Sequence, residues 1–289
     1  MCGHAVTMVP SRPMSQLSPL AELSVFEALD PAQRLALAAP LAESLGKDFR
    51  AYPSLVGAKG MVALDHVPTG ICMIAIPGGS FDMGLTDEDA DESSDTLGAT
   101  ATLQRLLMEV EAVATPVHRV VVAPFLLALA HLTSAQVAQL TGGAISVDAL
   151  SPRDAGRFPG QTSGFRLPSE AELEYVGREG GKLHFLNDGG HVYASTGLWP
   201  EPAESGWGLS YLSTPTWTAD EWHPDYEGAP ATSKAWSDGG LPGVFRGGLV
   251  DPPEQAEDLV MGLAAYRGRF VLPDDDWFVG VRPAYPLPT

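Results

Sequence analysis

Histidine is the side chain best suited to ligate a metal or move a proton near neutral pH. This chain has 7: His4, His66, His118, His131, His184, His191 and His223. No two stand at the His-x-x-x-His spacing that sets a pair of imidazoles on one helix face. His184 and His191 flank a glycine turn and would converge on a metal only with help from a nearby acid; two separate loop histidines is the weightier reading. Cys2 and Cys72 are too far apart in sequence to suggest a disulfide framework or a thiolate metal cluster. Cys72 lies in an apolar run and reads as a small core residue. Neither a Gly-x-Ser-x-Gly elbow nor a phosphate loop with Lys-Ser/Thr is present. The acids Glu201 with Glu204, and Asp274 to Asp276, have the right type for acid–base work, but their spacing does not favour it over solvation. Asn187 and Asp188, in FLNDGG, are the pair the sequence offers to calcium, against the plainer reading of a turn. Late in the chain, aromatics and arginines crowd together: Trp207, Tyr211, Trp217, Trp222, Trp236, Arg246, Tyr266, Arg267, Arg269, Trp277 and Arg282. Such residues offer large rigid area and planar donors, which suits ligand anchoring.

Charge and composition narrow the field. The net charge of −19 arises from 36 acidic against 17 basic side chains. That field repels phosphate backbones and anionic lipid, so neither nucleic acid nor a membrane surface is the expected partner. Part of the excess sits in TDEDADESSD (86–95), whose acids lack the spacing of a calcium loop, so a solvated run is expected. No run approaches the roughly 20 apolar residues of a membrane span. The first residues lack the basic start and apolar stretch of a secretory signal, and with few cysteines a cytoplasmic location is expected.

The elements that must position these residues are short. The 31 glycines and 25 prolines imply many turns. LDPAQRLALAAPLAESLG predicts a helix with Asp30 as cap, Pro31 at the first helical position and Gly46 as stop, kinked or split by Pro40. GICMIAIPGGSFDMG (70–84) predicts a buried strand and a tight turn. GATATLQRLLMEVEAVA predicts a helix, and TPVHRVVVAPFLLA a second buried strand. HLTSAQVAQLTGG predicts a short helix with the capping box Thr133/Gln136, and FRLPSEAELEYVGREGG (165–181) repeats the device with Ser169/Glu172 and terminates at Gly180-Gly181. The whole reads as a coil-rich α+β domain over 63–289 behind a helical N-terminal extension, 1–62.

Taken in order, seven segments resemble the formylglycine-generating-enzyme (sulfatase-modifying factor) family, whose fold is an elaborated C-type-lectin-like domain. They are IPGGSFDMG (76–84), TPVHRVVVAPF (115–125), LTSAQVAQL (132–140), RLPSEAELEYVGREGG (166–181), TWTADEWHPDY (216–226), FRGG (245–248) and GVRPA (280–284), spanning about 63–285. The founding enzymes of the family use a late cysteine pair that binds copper and activates oxygen. Here no cysteine follows Cys72, so the soft thiolate ligands that copper(I) needs are missing. The resemblance therefore implies the scaffold without sulfatase activation. Where the family has Gly-Asn-x-Trp-Glu-Trp, this chain reads SYLSTPTW (210–217), without the Asn and Glu that help hold a structural calcium. An iron-dependent branch takes its histidines from a helical bundle that the N-terminal extension is too short to form.

In this fold the late loops face the ligand. The residues expected there are Trp217, Asp220, Trp222, Arg246, Tyr266, Arg269 and Trp277. Two functions follow from the resemblance. One is a ligand- or protein-binding accessory module, with the variable protein of a diversity-generating retroelement as a special case. The other is an oxidative tailoring enzyme acting on a peptide or small molecule, with a redox metal the sequence does not identify. A third, plainer role has the N-terminal helices docking onto a partner.

Overall fold

The computed structural model describes residues 17–97, 100–143, 145, 152–158, 164–184, 205–209, 214–247, 260–269 and 279–288. After a 3-10 turn at Ser18–Ala21 come three short helices, α1 (Leu23–Glu27), α2 (Pro31–Leu35) and α3 (Ala38–Leu45). Asp30 accepts the Gln33 backbone N–H at 2.8 Å and Gln33 answers at 2.9 Å, completing a capping box. The break between α2 and α3 falls one turn before Pro40, which lacks the N–H that would have bonded back across it.

Strands β1 (Phe49–Ala51), β2 (Ala63–His66), β3 (Ile71–Ile76) and β4 (Gly79–Met83) follow. Next are α4 (Asp87–Leu97) and α5 (Ala101–Val113), with Thr100 capping α5. The segment expected as one strand is two, β5 (His118–Val122) and β6 (Phe125–Ala128). The reason is local: Pro124 donates no ladder bond, and the two halves join different sheets. The remaining elements are α6 (Ser134–Thr141), α7 (Pro152–Ala155), α8 (Glu170–Gly177), β7 (Thr216–Trp217), β8 (Val244–Arg246), β9 (Arg267–Arg269) and β10 (Ala284–Pro286).

Among the described residues the strands form a five-stranded sheet in the order β1-β2-β3-β6-β10, a β4-β5 pair and a β7-β8-β9 sheet. All the strand pairings are antiparallel. β6 is buried at every position, which is why FLLA reads as a continuous apolar run rather than an alternation. The last strand returns beside it, Tyr285 opposite Leu126. Segment 17–62 contributes the edge strand β1, and Leu20, Phe26 and Leu41 belong to the same apolar core as β3 and β6. Cys72, on β3, is half-buried, and burial together with Asp65 pushes its thiol up to about 11, so it stays protonated. Among the described residues no helix is long and apolar enough to cross a membrane.

Candidate functional site

Helix α8 organises the site. Ser169 caps it, its hydroxyl accepting the Glu172 backbone N–H at 3.1 Å, while Glu172 accepts the Ser169 N–H at 2.9 Å. Every residue of the helix is buried, three glutamates included. A buried carboxylate is tolerated only when paired and hydrogen-bonded, so each must have a partner.

Glu170 meets two arginines. Its Oε1 accepts the Tyr226 hydroxyl at 2.7 Å and an Arg246 N–H at 3.0 Å. Its Oε2 accepts from Arg267 at 3.1 Å, and Arg267 Nε lies 2.7 Å from Oε1, off the hydrogen-bonding line. One turn on, Glu174 Oε1 accepts from the Gly84 backbone at 2.9 Å and from Arg178 Nε at 2.9 Å. The other oxygen of Glu174 sits 2.6 Å from Arg246. A further turn on, Arg178 grips Asp89 with two bonds of 2.8 Å and donates to the Gly84 carbonyl at 2.9 Å. Gly84 holds φ at +111°, and a Cβ there would meet the Ala114 carbonyl at 2.5 Å, so glycine is required where the backbone enters this lattice. Arg178 keeps Asp89 below the ordinary carboxylate range against the opposing effect of burial, and Arg267 and Arg246 do the same for Glu170.

The buried cations Arg178, Arg246 and Arg267 thus balance the carboxylates of Asp89, Glu170 and Glu174. Asp220 is the acid left over. It is buried and accepts the Glu170 backbone N–H at 2.6 Å and the Trp236 N–H at 2.8 Å. Burial, reinforced by the Glu170 charge, outweighs those two bonds and pushes its carboxyl up to about 7.

Above this lattice lies a layer of planar groups. Arg267 is held by the Val113 and His223 carbonyls at 2.8 and 3.1 Å and stacks between Trp222 and Tyr226, 4.6 Å from each ring centre. Exposed Arg269 stands 5.9 Å from the half-buried Trp222 ring. Trp236 stacks on His223 with ring centres 3.7 Å apart and planes 2° from parallel. The two segments are joined by the Glu221 N–H to the Trp236 carbonyl, 2.9 Å.

Of the residues expected to face a ligand, Trp217, Asp220 and Arg246 are buried, Trp222 and Tyr266 are half-buried, and Arg269 is exposed. Trp277, Asn187 and Asp188 lie outside the described residues. The acidic run 86–95 differs from expectation: it is helical, and Asp89 is fully buried against Arg178 and His184, the latter at 2.7 Å. The other described histidines are also engaged. His66 packs against Phe165, His118 against Tyr226, and His131 lies 2.7 Å from the Thr216 hydroxyl. Burial holds His131 well below its ordinary value, hence neutral. His4 and His191 lie outside the described residues. Among the described residues no group of three or more His, Cys, Asp or Glu is placed to hold a metal ion.

Sequence reasoning missed Glu170, Glu174, Arg178, Asp89 and Tyr226, and it grouped Arg267 with the ligand anchors, whereas Arg267 is buried against Glu170. One signal was available: Glu170, Glu174 and Arg178 recur at four-residue spacing, which aligns them on one helix face.

No family model matches the chain, and no curated protein does. Among solved structures it is similar to PvdO from Pseudomonas aeruginosa, with a TM-score of 0.53 and 21% identity over 78% of this chain and 98% of that one. It is also similar to variable protein 1 of Treponema denticola, with a TM-score of 0.45 and 13% identity over 83% and 99%. The likeness to PvdO is one of fold. The fold is α+β, of the formylglycine-generating-enzyme-like, C-type-lectin-like kind.

Proposed function

We propose that the chain is a binding or accessory module that takes a protein, peptide or small-molecule ligand on its late loops, around Trp222, Tyr266 and Arg269. The observation that carries the reading is the clamp on Trp222. Arg267 is fixed by Glu170 and two backbone carbonyls and supports the indole from below, while Arg269 stays exposed beside it. A planar anchor held in place before binding loses little freedom when a ligand arrives. Asp220 does the same for Trp236 by holding its backbone N–H. Among the described residues the carboxylates of Asp89, Glu170 and Glu174 are paired with Arg178, Arg246 and Arg267, which fixes the floor beneath Trp222.

Cytoplasmic residence, calcium at Asn187 and Asp188, which lie outside the described residues, and ligands other than nucleic acid or membrane belong to the same proposal. The retroelement special case adds that close paralogues differ only after about Gly248.

Panning displayed random peptides against the intact protein tests the reading. Enriched peptides are expected to lose about tenfold or more in affinity against Trp222→Ala or Arg269→Ala. Peptides that bind both variants as well as the parent would contradict it. The competing function is oxidative tailoring by a metal-dependent enzyme, which would instead reveal itself as a stoichiometric redox metal and oxygen uptake.

A further inference from the structure

A concavity whose lining does not include Trp222 lies where the approach to α8, the start of β6 and the end of β10 meet segment 233–235. It encloses about 380 Å³, at the small end of the roughly 300–1,000 Å³ typical of small-molecule sites. Phe125, Leu167, Pro286 and Leu287 give it apolar walls, and its polar groups are Arg166, Ser169, Glu172, Ser233 and Lys234.

The charges select the ligand. Glu172 is saturated: each oxygen accepts from Arg166 at 2.6 Å, and Oε2 also accepts the Ser169 N–H at 2.9 Å. It is 3% exposed, so it has nothing left for a ligand cation, whereas the Arg166 side chain is 38% exposed. Lys234 adds a second positive charge at the rim. Arg166 offsets Glu172, with Nη1 also donating to the Leu167 carbonyl at 3.1 Å, so Lys234 leaves the lining with one net positive charge in a chain whose net charge is −19. The lining thus has the sign opposite to that of the chain as a whole, which favours an anion there.

The rim is also held still. The Ser233 N–H donates to the Val121 carbonyl at 3.0 Å, the Val121 N–H to Ala231 at 3.0 Å, and the Trp236 N–H to Asp220 at 2.8 Å, so Lys234 lies between fixed points. Opposite it, Pro286 is in register with Phe125, and Ala284 bridges to Arg166.

From this we infer that the cleft binds a small free carboxylic acid with an apolar body, its carboxylate toward Lys234 and Arg166 and its body against Phe125, Leu167 and Leu287. Calorimetric titration of the intact protein with octanoate and octanamide, and with 3-phenylpropionate as a second acid, tests this. Octanoate or 3-phenylpropionate is expected to saturate one site, with the amide at least about tenfold weaker. Lys234→Ala is expected to remove the preference for acid over amide. Ala235→Trp, at an exposed position on the lining, is expected to weaken the acid about tenfold or more by filling the cleft. Both substitutions are on exposed positions, and unchanged thermal unfolding would show that the fold survives. Trp222→Ala should leave acid binding unaltered, which separates this site from the aromatic one. No binding by either acid, equal binding of acid and amide, or affinity that survives both cleft variants would overturn the assignment.

Discussion

Asp220 carries the clearest consequence at the scale of single residues. The folded protein holds a proton on this carboxyl up to about pH 7, whereas the unfolded chain releases it near the ordinary 3.8. Its favourable contribution is therefore complete below about pH 4 and is lost as pH rises through about 7. The paired acids Asp89 and Glu170 are shifted the other way, and their contribution is lost only as pH falls below the ordinary carboxylate range. The thermal unfolding midpoint should thus fall from pH 5 to pH 8, and Asp220→Asn, which keeps the shape without the charge, should flatten that slope. Parallel pH profiles for parent and variant would refute the assignment. Removing one partner of the paired set is a different test. Glu170→Gln leaves Arg246 and Arg267 buried without their shared carboxylate, and is expected to cost about 3–5 kcal/mol in urea unfolding. A cost below about 1 kcal/mol would mean that the lattice does not hold the fold.

At the scale of elements, much was legible and the reason is chemical. Capping is a local rule, so Asp30 with Gln33, Thr133 with Gln136 and Ser169 with Glu172 could each be recognised within four residues, and all three boxes form. The stop at Gly142 was legible for the same reason, since it takes φ at +63°. What could not be read was where the charge goes. The partners of Glu170 and Arg178 stand 76, 97 and 89 positions away, and no local pattern signals a contact at that range. For that reason the run containing Asp89 looked solvated; the strand expected over 115–128, by contrast, is divided by a local cause, Pro124. The same distinction ranks the caps. Ser169 is buried while Thr133 is exposed, so Ser169→Ala should cost about 2 kcal/mol and Thr133→Ala about 0.5–1 kcal/mol. Equal losses in chemical denaturation would show that burial adds nothing at the α8 cap.

At the scale of the whole molecule, the order β1-β2-β3-β6-β10 puts the first and last strands at opposite edges of one sheet. Segment 17–62 fills core positions through Leu20, Phe26 and Leu41 and pairs Phe49 with His66. Removing residues 1–62 would strip that core and bare the β2 edge, and is expected to give an aggregated product rather than a soluble domain. A monomeric, cooperatively unfolding 63–289 fragment would show instead that the extension is an appendage, available for docking. Among the described late residues, the ion lattice ties down Arg267 and, through Asp220, the backbone at Trp236, and the scaffold so built is proposed to serve recognition rather than oxidation. The most direct measurement is the metal content of the purified intact protein by mass spectrometry, as isolated and after chelation. Calcium alone, or no metal, is the predicted result. Iron or copper near one equivalent per chain would contradict the binding-module account and make an oxygen-dependent substrate the next object of search.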